Sequence, residues 1–211
     1  MALRTQEFLE IENIKDGVVV LKNKSLRGII LVSATNFALK TREEQEAIIF
    51  QFQNFLNSLD FPIQILVQSR RINLTGYFHL LRQLEQEWMQ KNELMANQTR
   101  EYRKFLEKYV LENPIMTKNF YVVVPYYVSD LPGFSQKGGK KEDQAKLLEE
   151  KFEIAKTQLL HRMEFVILGL RECGLDGVIL GQRELIELFW AYFHPKESEF
   201  GYFPEIPREF L

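Results

Sequence analysis

Phosphate chemistry is the first thing to test for in the segment VSDLPGFSQKGGKKED (128–143), which gathers Gly133, Gly138 and Gly139 with Lys137, Lys140 and Lys141. A loop of the G-x-x-x-x-G-K-[ST] type cradles phosphates with backbone N–H groups, neutralises them with its lysine and holds Mg²⁺ through its hydroxyl. With Gly139-Lys140 as the G-K pair, the leading glycine should stand where the chain has Phe134, and the hydroxyl position is Lys141. The segment also begins several residues beyond the apolar run that ends at Pro125. A solvated surface loop is the preferred reading. A small nucleotide- or nucleic-acid-binding accessory acting through 133–141 is the alternative.

The other reactive side chains are scattered. His79, His161 and His194 lie far apart, and none has a second histidine at helical spacing, so no zinc-type ligand set is legible. Cys173 is the single cysteine. It excludes an internal disulfide and fits a reducing compartment. As a nucleophile it would need a positioned base, and its place between Glu172 and Gly174 at a helix end favours packing. There is no G-x-S-x-G elbow. The carboxylate runs Glu43, Glu44, Glu46 and Glu149, Glu150, Glu153 fall near helix starts, where the macrodipole favours negative charge. Arg70 and Arg71 follow a strand and, with Lys137, Lys140 and Lys141, are the candidate anion or lipid-headgroup contacts. Ordinary solubility is the competing reading, helped by Glu142 and Asp143. Arg162 and Arg171 lie within a helix, and facing inward they would need a carboxylate such as Glu164, Glu184 or Glu187. No catalytic residue, cofactor or metal is expected.

Composition sets the frame that would carry these groups. The chain has 211 residues, 45% of them hydrophobic and 27% charged, with a net charge of −2. That allows one domain with a sizeable core. It argues against a general nucleic-acid binder, which needs clustered Lys and Arg. The N-terminal stretch lacks the apolar region of a signal peptide. Runs such as Gly28–Val32 and Tyr121–Pro125 are far short of the ~20 residues of a membrane span. The expectation is a cytoplasmic protein, peripheral to the membrane only if something else holds it there.

Periodicity supplies the elements. Residues 7–15 alternate loosely between apolar and charged, and Asp16-Gly17 is a hairpin-turn signal. Val18–Leu21 and Gly28–Val32 read as an antiparallel pair. Thr41 and Glu44 have capping-box spacing ahead of a helix running to about Leu59, and Ile63–Val67 is a strand. Residues 76–112 read as helical, with Leu81, Leu84, Trp88, Met95, Tyr102, Phe105 and Tyr109 on one 3–4 stripe that also passes through Lys91 and Gln98. A continuous helix of ~36 residues would reach ~54 Å, so the polar middle, Gln90–Thr99, must protrude or contain a break. Asn119–Pro125 is a strand dense in β-branched and aromatic residues. A long helix then carries Leu147, Leu148, Phe152, Ala155, Leu159, Met163, Val166, Ile167 and Leu170, and ends at Gly174. Asp176–Leu180 reads as a short edge strand and Glu184–Phe193 as an apolar helix. The order β-β-α-β-α-β-α-(β)-α describes an α/β chain of the α+β kind, a small mixed or antiparallel sheet of about four or five strands against long helices. The expected organisation is one domain over 1–196 and an aromatic, proline-containing tail over 197–211.

Aromatics are in surplus, with 17 Phe and 8 Tyr, and many sit at element ends. Tyr126 and Tyr127, and Phe200, Tyr202 and Phe203 in the tail, are the candidate partner contacts, because aromatics are enriched at interfaces. The core is the competing destination for each of them.

The sequence resembles the N-terminal, non-ATPase region of the TraC-like conjugative-transfer ATPases of type IV secretion systems. The resembling stretches are DGVVVLKNKSLRGIILV (16–32), Asn36-Phe37 with Glu43–Glu46, LDFPIQILVQSRR (59–71), FYVVVPY (120–126) and 159–195, with Gly169, Gly174-Leu175, Glu184-Leu185 and His194-Pro195. Together they cover roughly residues 5–195. The signatures are distributed and hydrophobic, with no short catalytic fingerprint. In that family this region is similar to a docking module that meets inner-membrane partners, while a following RecA-like domain hydrolyses ATP. No Walker motif lies within the 211 residues, so ATPase activity is not carried over, and no catalytic residue of the family has a matching position. The resemblance implies a non-catalytic subunit that docks onto a separate ATPase and a small inner-membrane protein of a secretion or conjugation complex, on the inner face of the membrane.

Overall fold

The computed structural model describes residues 9–72, 74–113, 115–127 and 141–195, and the side chains of the last segment from Glu149 onward. The strands are β1 (Ile11–Lys15), β2 (Val18–Leu21), β3 (Leu26–Val32), β4 (Gln64–Arg71), β5 (Met116–Tyr126) and β6 (Gly177–Ile179). The helices are α1 (Arg42–Ser58), α2 (Thr75–Lys91), α3 (Glu93–Glu112), α4 (Lys141–Glu172) and α5 (Gln182–Phe193), with one 3₁₀ turn at Phe37–Leu39. The architecture is the expected α+β one. Its antiparallel sheet has six strands in the order β1-β2-β3-β5-β4, with β6 paired to β3. The strand beyond the expected number is β1, where the sequence offered only a loose alternation.

Local chemistry explains the opening elements. Lys15 pairs with Val18 across the two-residue Asp16-Gly17 turn, in which both residues have positive φ, 52° and 75°. Such a turn matches the twist of the strands it joins. Thr41 begins α1 with the capping box in place. Its Oγ1 accepts from the Glu44 N–H at 3.3 Å, and the Thr41 N–H donates to Glu44 Oε2 at 2.8 Å. That bond from the Thr41 backbone is the main reason the Glu44 carboxyl sits below its ordinary value.

The residues form two compact units, one from 9–67, 119–127 and 141–186, the other from 68–118 and 187–195. The first holds the sheet and its covering helices. Ala155, Leu159, Met163, Val166 and Leu170 on α4 are all buried with Leu26, Ile30 and Val32 of β3 and Val122 and Val124 of β5. A Cβ at Gly28 would lie 2.1 Å from Met163 Sδ, so glycine is what lets α4 lie this close to β3. A Cβ at Gly169 would meet the Phe55 ring of α1 at 2.2 Å. The α4 helix ends as expected at Gly174, with φ +75° and its N–H donating to Arg171 O at 2.9 Å.

The second unit contains the segment whose length was the puzzle. The helix over 76–112 is broken once, at Asn92, inside the polar middle. Asn92 ends α2, with its N–H donating to Trp88 O at 2.7 Å, and caps α3, with Oδ1 accepting from Leu94 N at 3.1 Å and Met95 N at 3.4 Å. The two helices fold back as an antiparallel hairpin, with Arg82 opposite Glu107 and Glu85 opposite Arg100 and Arg103.

Candidate functional site

The seam of the α2–α3 hairpin is charged. Glu85 accepts from Arg100 Nε at 2.6 Å and from Arg103 Nη2 at 3.3 Å. Arg103 Nη1 donates to Glu107 at 2.9 Å, and Arg82 stands 3.8 Å from the same carboxylate. Glu85 is 13% exposed and Arg103 17%. The Arg100 hydrogen bond is the largest reason the Glu85 carboxyl lies below its ordinary value, with Arg103 adding to it against the opposing cost of burial. The Arg103 guanidinium is raised, first by the bond to Glu107. Leu81 and Ala96 are the buried apolar side chains of the two helices, and Phe78, Leu84, Trp88, Leu106 and Val110 are half-buried.

The apolar stripe of α3 therefore faces out. Met95, Tyr102, Phe105 and Tyr109 follow one another at helical spacing and are all exposed, Phe105 by 61%. Tyr77 and Leu80 form the matching exposed pair on α2. The Tyr102 phenol beside Tyr77 raises the Tyr77 phenol above its ordinary value, which puts the two stripes on the same side of the hairpin. Phe105 and Tyr109 stack with ring centroids 5.9 Å apart. The sequence showed this stripe without fixing which way it faces, and its α2 part, Leu81, Leu84 and Trp88, is buried or half-buried. The seam charges at 100, 103 and 107 on α3 carry the same helical spacing one third of a turn away, and that was the signal available for the real buried stripe.

Arg70 and Arg71 end β4, exposed, beside a cleft of about 300 Å³ lined also by Gln68, Met116 and Tyr192. Arg71 further reaches a cleft of about 460 Å³ with Phe78, Arg82, Glu107 and Val110. Tyr126 is 5% exposed, and its ring is engaged inside the fold. It stacks under the Arg162 guanidinium at 4.7 Å while Phe61 lies at 4.9 Å from that guanidinium, whose Nη1 donates to Pro125 O at 3.1 Å. Two rings and a carbonyl meet this inward arginine. Tyr127 is exposed and lies 5.0 Å from the Arg27 guanidinium. Lys141 begins α4, its side chain outside the described residues, as are Lys137, Lys140, Phe200, Tyr202 and Phe203. The 133–140 part of the glycine–lysine loop also falls outside them.

Polar chemistry elsewhere is dispersed. Cys173 is buried and donates to Gly169 O at 3.4 Å, and burial is the main reason its thiol lies above the ordinary value. His161 pairs at 3.8 Å with Glu164, and His194 stacks on Trp190. Among the described residues no three His, Cys, Asp or Glu side chains are grouped to hold a metal ion. An apolar cleft of about 280 Å³ opens in the first unit among Phe52, Ile65, Phe120 and Leu170. Among the described residues the outer face of the hairpin is an exposed apolar face.

The family model described as the archaeal TraC-like domain matches residues 12–192. No curated protein matches the sequence.

Proposed function

Because the chain belongs to the archaeal TraC-like domain family, a family tied to conjugation and secretion, we propose that it is a non-catalytic subunit of such an apparatus and a docking module for its other proteins. The observation that carries this is the α2–α3 hairpin, which turns its charges inward and Tyr77, Leu80, Tyr102, Phe105 and Tyr109 outward. Exposed aromatics in one contiguous face mark protein contact, and tyrosine-rich patches supply large contact area at low entropic cost. The components proposed to meet this subunit are a separate ATPase and a small membrane protein. Among the described residues no helix is long and apolar enough to cross a membrane. On this reading such partners hold the chain at the inner face of the membrane.

The test is recovery of the tagged chain from its native membranes, with co-purifying proteins identified by mass spectrometry. The expected result is a P-loop ATPase or a single-span membrane protein that is recovered with the wild-type chain and lost with Phe105→Glu. Recovery of neither from intact membranes, with the chain folded and in excess, overturns the reading.

A further inference from the structure

We infer that the protein seated on the outer face of the α2–α3 hairpin is a second copy of this chain, so that two hairpins close into an antiparallel four-helix bundle. The inference rests on the docking reading above: the face pairs two subunits, and the paired hairpins meet the other components, so Phe105→Glu removes both contacts.

Area is the first argument. Tyr77, Tyr102, Phe105 and Tyr109 are exposed by 41%, 46%, 61% and 46%. An aromatic side chain offers roughly 150–250 Å², so each contributes about 100 Å². With Leu80 and Met95, also exposed, one hairpin presents on the order of 600 Å² of apolar surface. That is at the top of what a monomer carries without a partner. Two such faces bury about 1,200 Å² together before any polar rim is counted, the lower bound of a stable interface.

Shape is the second. A partner must follow the length of the hairpin, because the stripe runs from Tyr77 and Leu80 on α2 to Met95 and Tyr109 at opposite ends of α3, interrupted by Gln98 and by Lys91 at the end of α2. A further hairpin of 17 and 20 residues meets that requirement by construction, and two-helix hairpins pair face to face as four-helix bundles. Isologous pairing about a twofold axis needs one self-complementary patch, and the aromatic patch of Tyr102, Phe105 and Tyr109 can meet its own copy.

The experiment uses the full chain, purified alone, with mass measured by light scattering across a dilution series. A dimer of about 50 kDa against the 25.0 kDa monomer is expected at micromolar concentration. Amide exchange in peptides covering 75–112 should speed up on dilution, with no such change in α4. Phe105→Glu and Tyr102→Glu should each raise the dissociation constant at least about tenfold, as for central aromatic contacts. Both residues are exposed, and exchange over 75–112 no faster than in the dilute wild-type chain shows that the variant hairpin remains folded. A dimer indifferent to both substitutions overturns the inference, because pairing then uses another surface. A chain monomeric at all concentrations also overturns it. If that monomer still captures an apparatus component through Phe105, the docking reading stands and the occupant is that component. If it captures none, both fall.

Discussion

Replacing Glu85 by glutamine should loosen the hairpin alone, by an amount that follows from its two bonds. The carboxylate accepts from Arg100 at 2.6 Å and from Arg103 at 3.3 Å. Hydrogen bonds to charged groups contribute about 1.5–3 kcal/mol when buried, and exposed ion pairs about 0.2–1. Glu85 is 13% exposed, Arg100 31% and Arg103 17%, which places these bonds between the limits. The second is longer than a strong charge-assisted bond. Glutamine keeps one oxygen as a neutral acceptor, and Arg103 keeps Glu107 at 2.9 Å. The expected loss is about 2 kcal/mol, equal to roughly thirtyfold faster amide exchange in peptides over 75–112. The comparison is best made in a Phe105→Glu background, so that association of subunits does not enter. Glu101→Gln is the control. Its pair with Lys104 at 3.2 Å is widely exposed, 73% and 58%, and its loss should change exchange less than about threefold. Equal effects of the two substitutions, or no effect of Glu85→Gln, would refute the claim that charge holds this seam.

Two further outcomes are expected. Gly169→Ala sets the gain of ~1 kcal/mol in helix propensity against a clash of 2.2 Å with the buried Phe55 ring. Net destabilisation of about 1–2 kcal/mol should reverse to a gain in a Phe55→Ala background, measured as a double-mutant cycle by amide exchange in α4. The Glu85 carboxyl is lowered in the folded chain, so its contribution is complete above the ordinary value of 4.5 and is lost as pH falls through its lowered value. Protection of 75–112 should therefore decline below about pH 4.5 in the wild type and decline less in Glu85→Gln, with equal acid sensitivity sinking the assignment.

Elements governed by local chemistry were legible in the sequence. The Asp16-Gly17 turn, the Thr41–Glu44 box, the α4 stripe from Ala155 to Leu170 and the Gly174 terminus each follow from a few adjacent residues. Even the break in 76–112 was confined to its polar middle, though Asn92 as the joint was not. What the sequence hid was which of two stripes a helix buries. Periodicity reports that Met95, Tyr102, Phe105 and Tyr109 share a face, and hydrophobicity favours turning that face inward. The choice depends on Glu85, fifteen residues before Arg100, and pairing at that distance has no signature in either helix alone. Tyr126 failed as a contact for a related reason. Its position at a strand end suggested exposure, while the Arg162 guanidinium that covers it comes from 36 residues further along.

The inverted hairpin makes physical sense as a division of labour between two kinds of contact. Apolar stripes attract without direction, so two helices joined at a single residue and held only by such stripes could slide or roll against each other. Arg–carboxylate pairs require defined geometry, and the offsets between Glu85, Arg100, Arg103 and Glu107 allow one register. A charged seam is a poor source of stability for its burial, yet it fixes where Tyr77 and Tyr102 meet, and so fixes the shape of the outer face. If the apolar stripes faced each other instead, the hairpin would be more stable alone and would have nothing left to offer. The arrangement found gives up stability in the hairpin and leaves an apolar face exposed, which the proposed docking role would use.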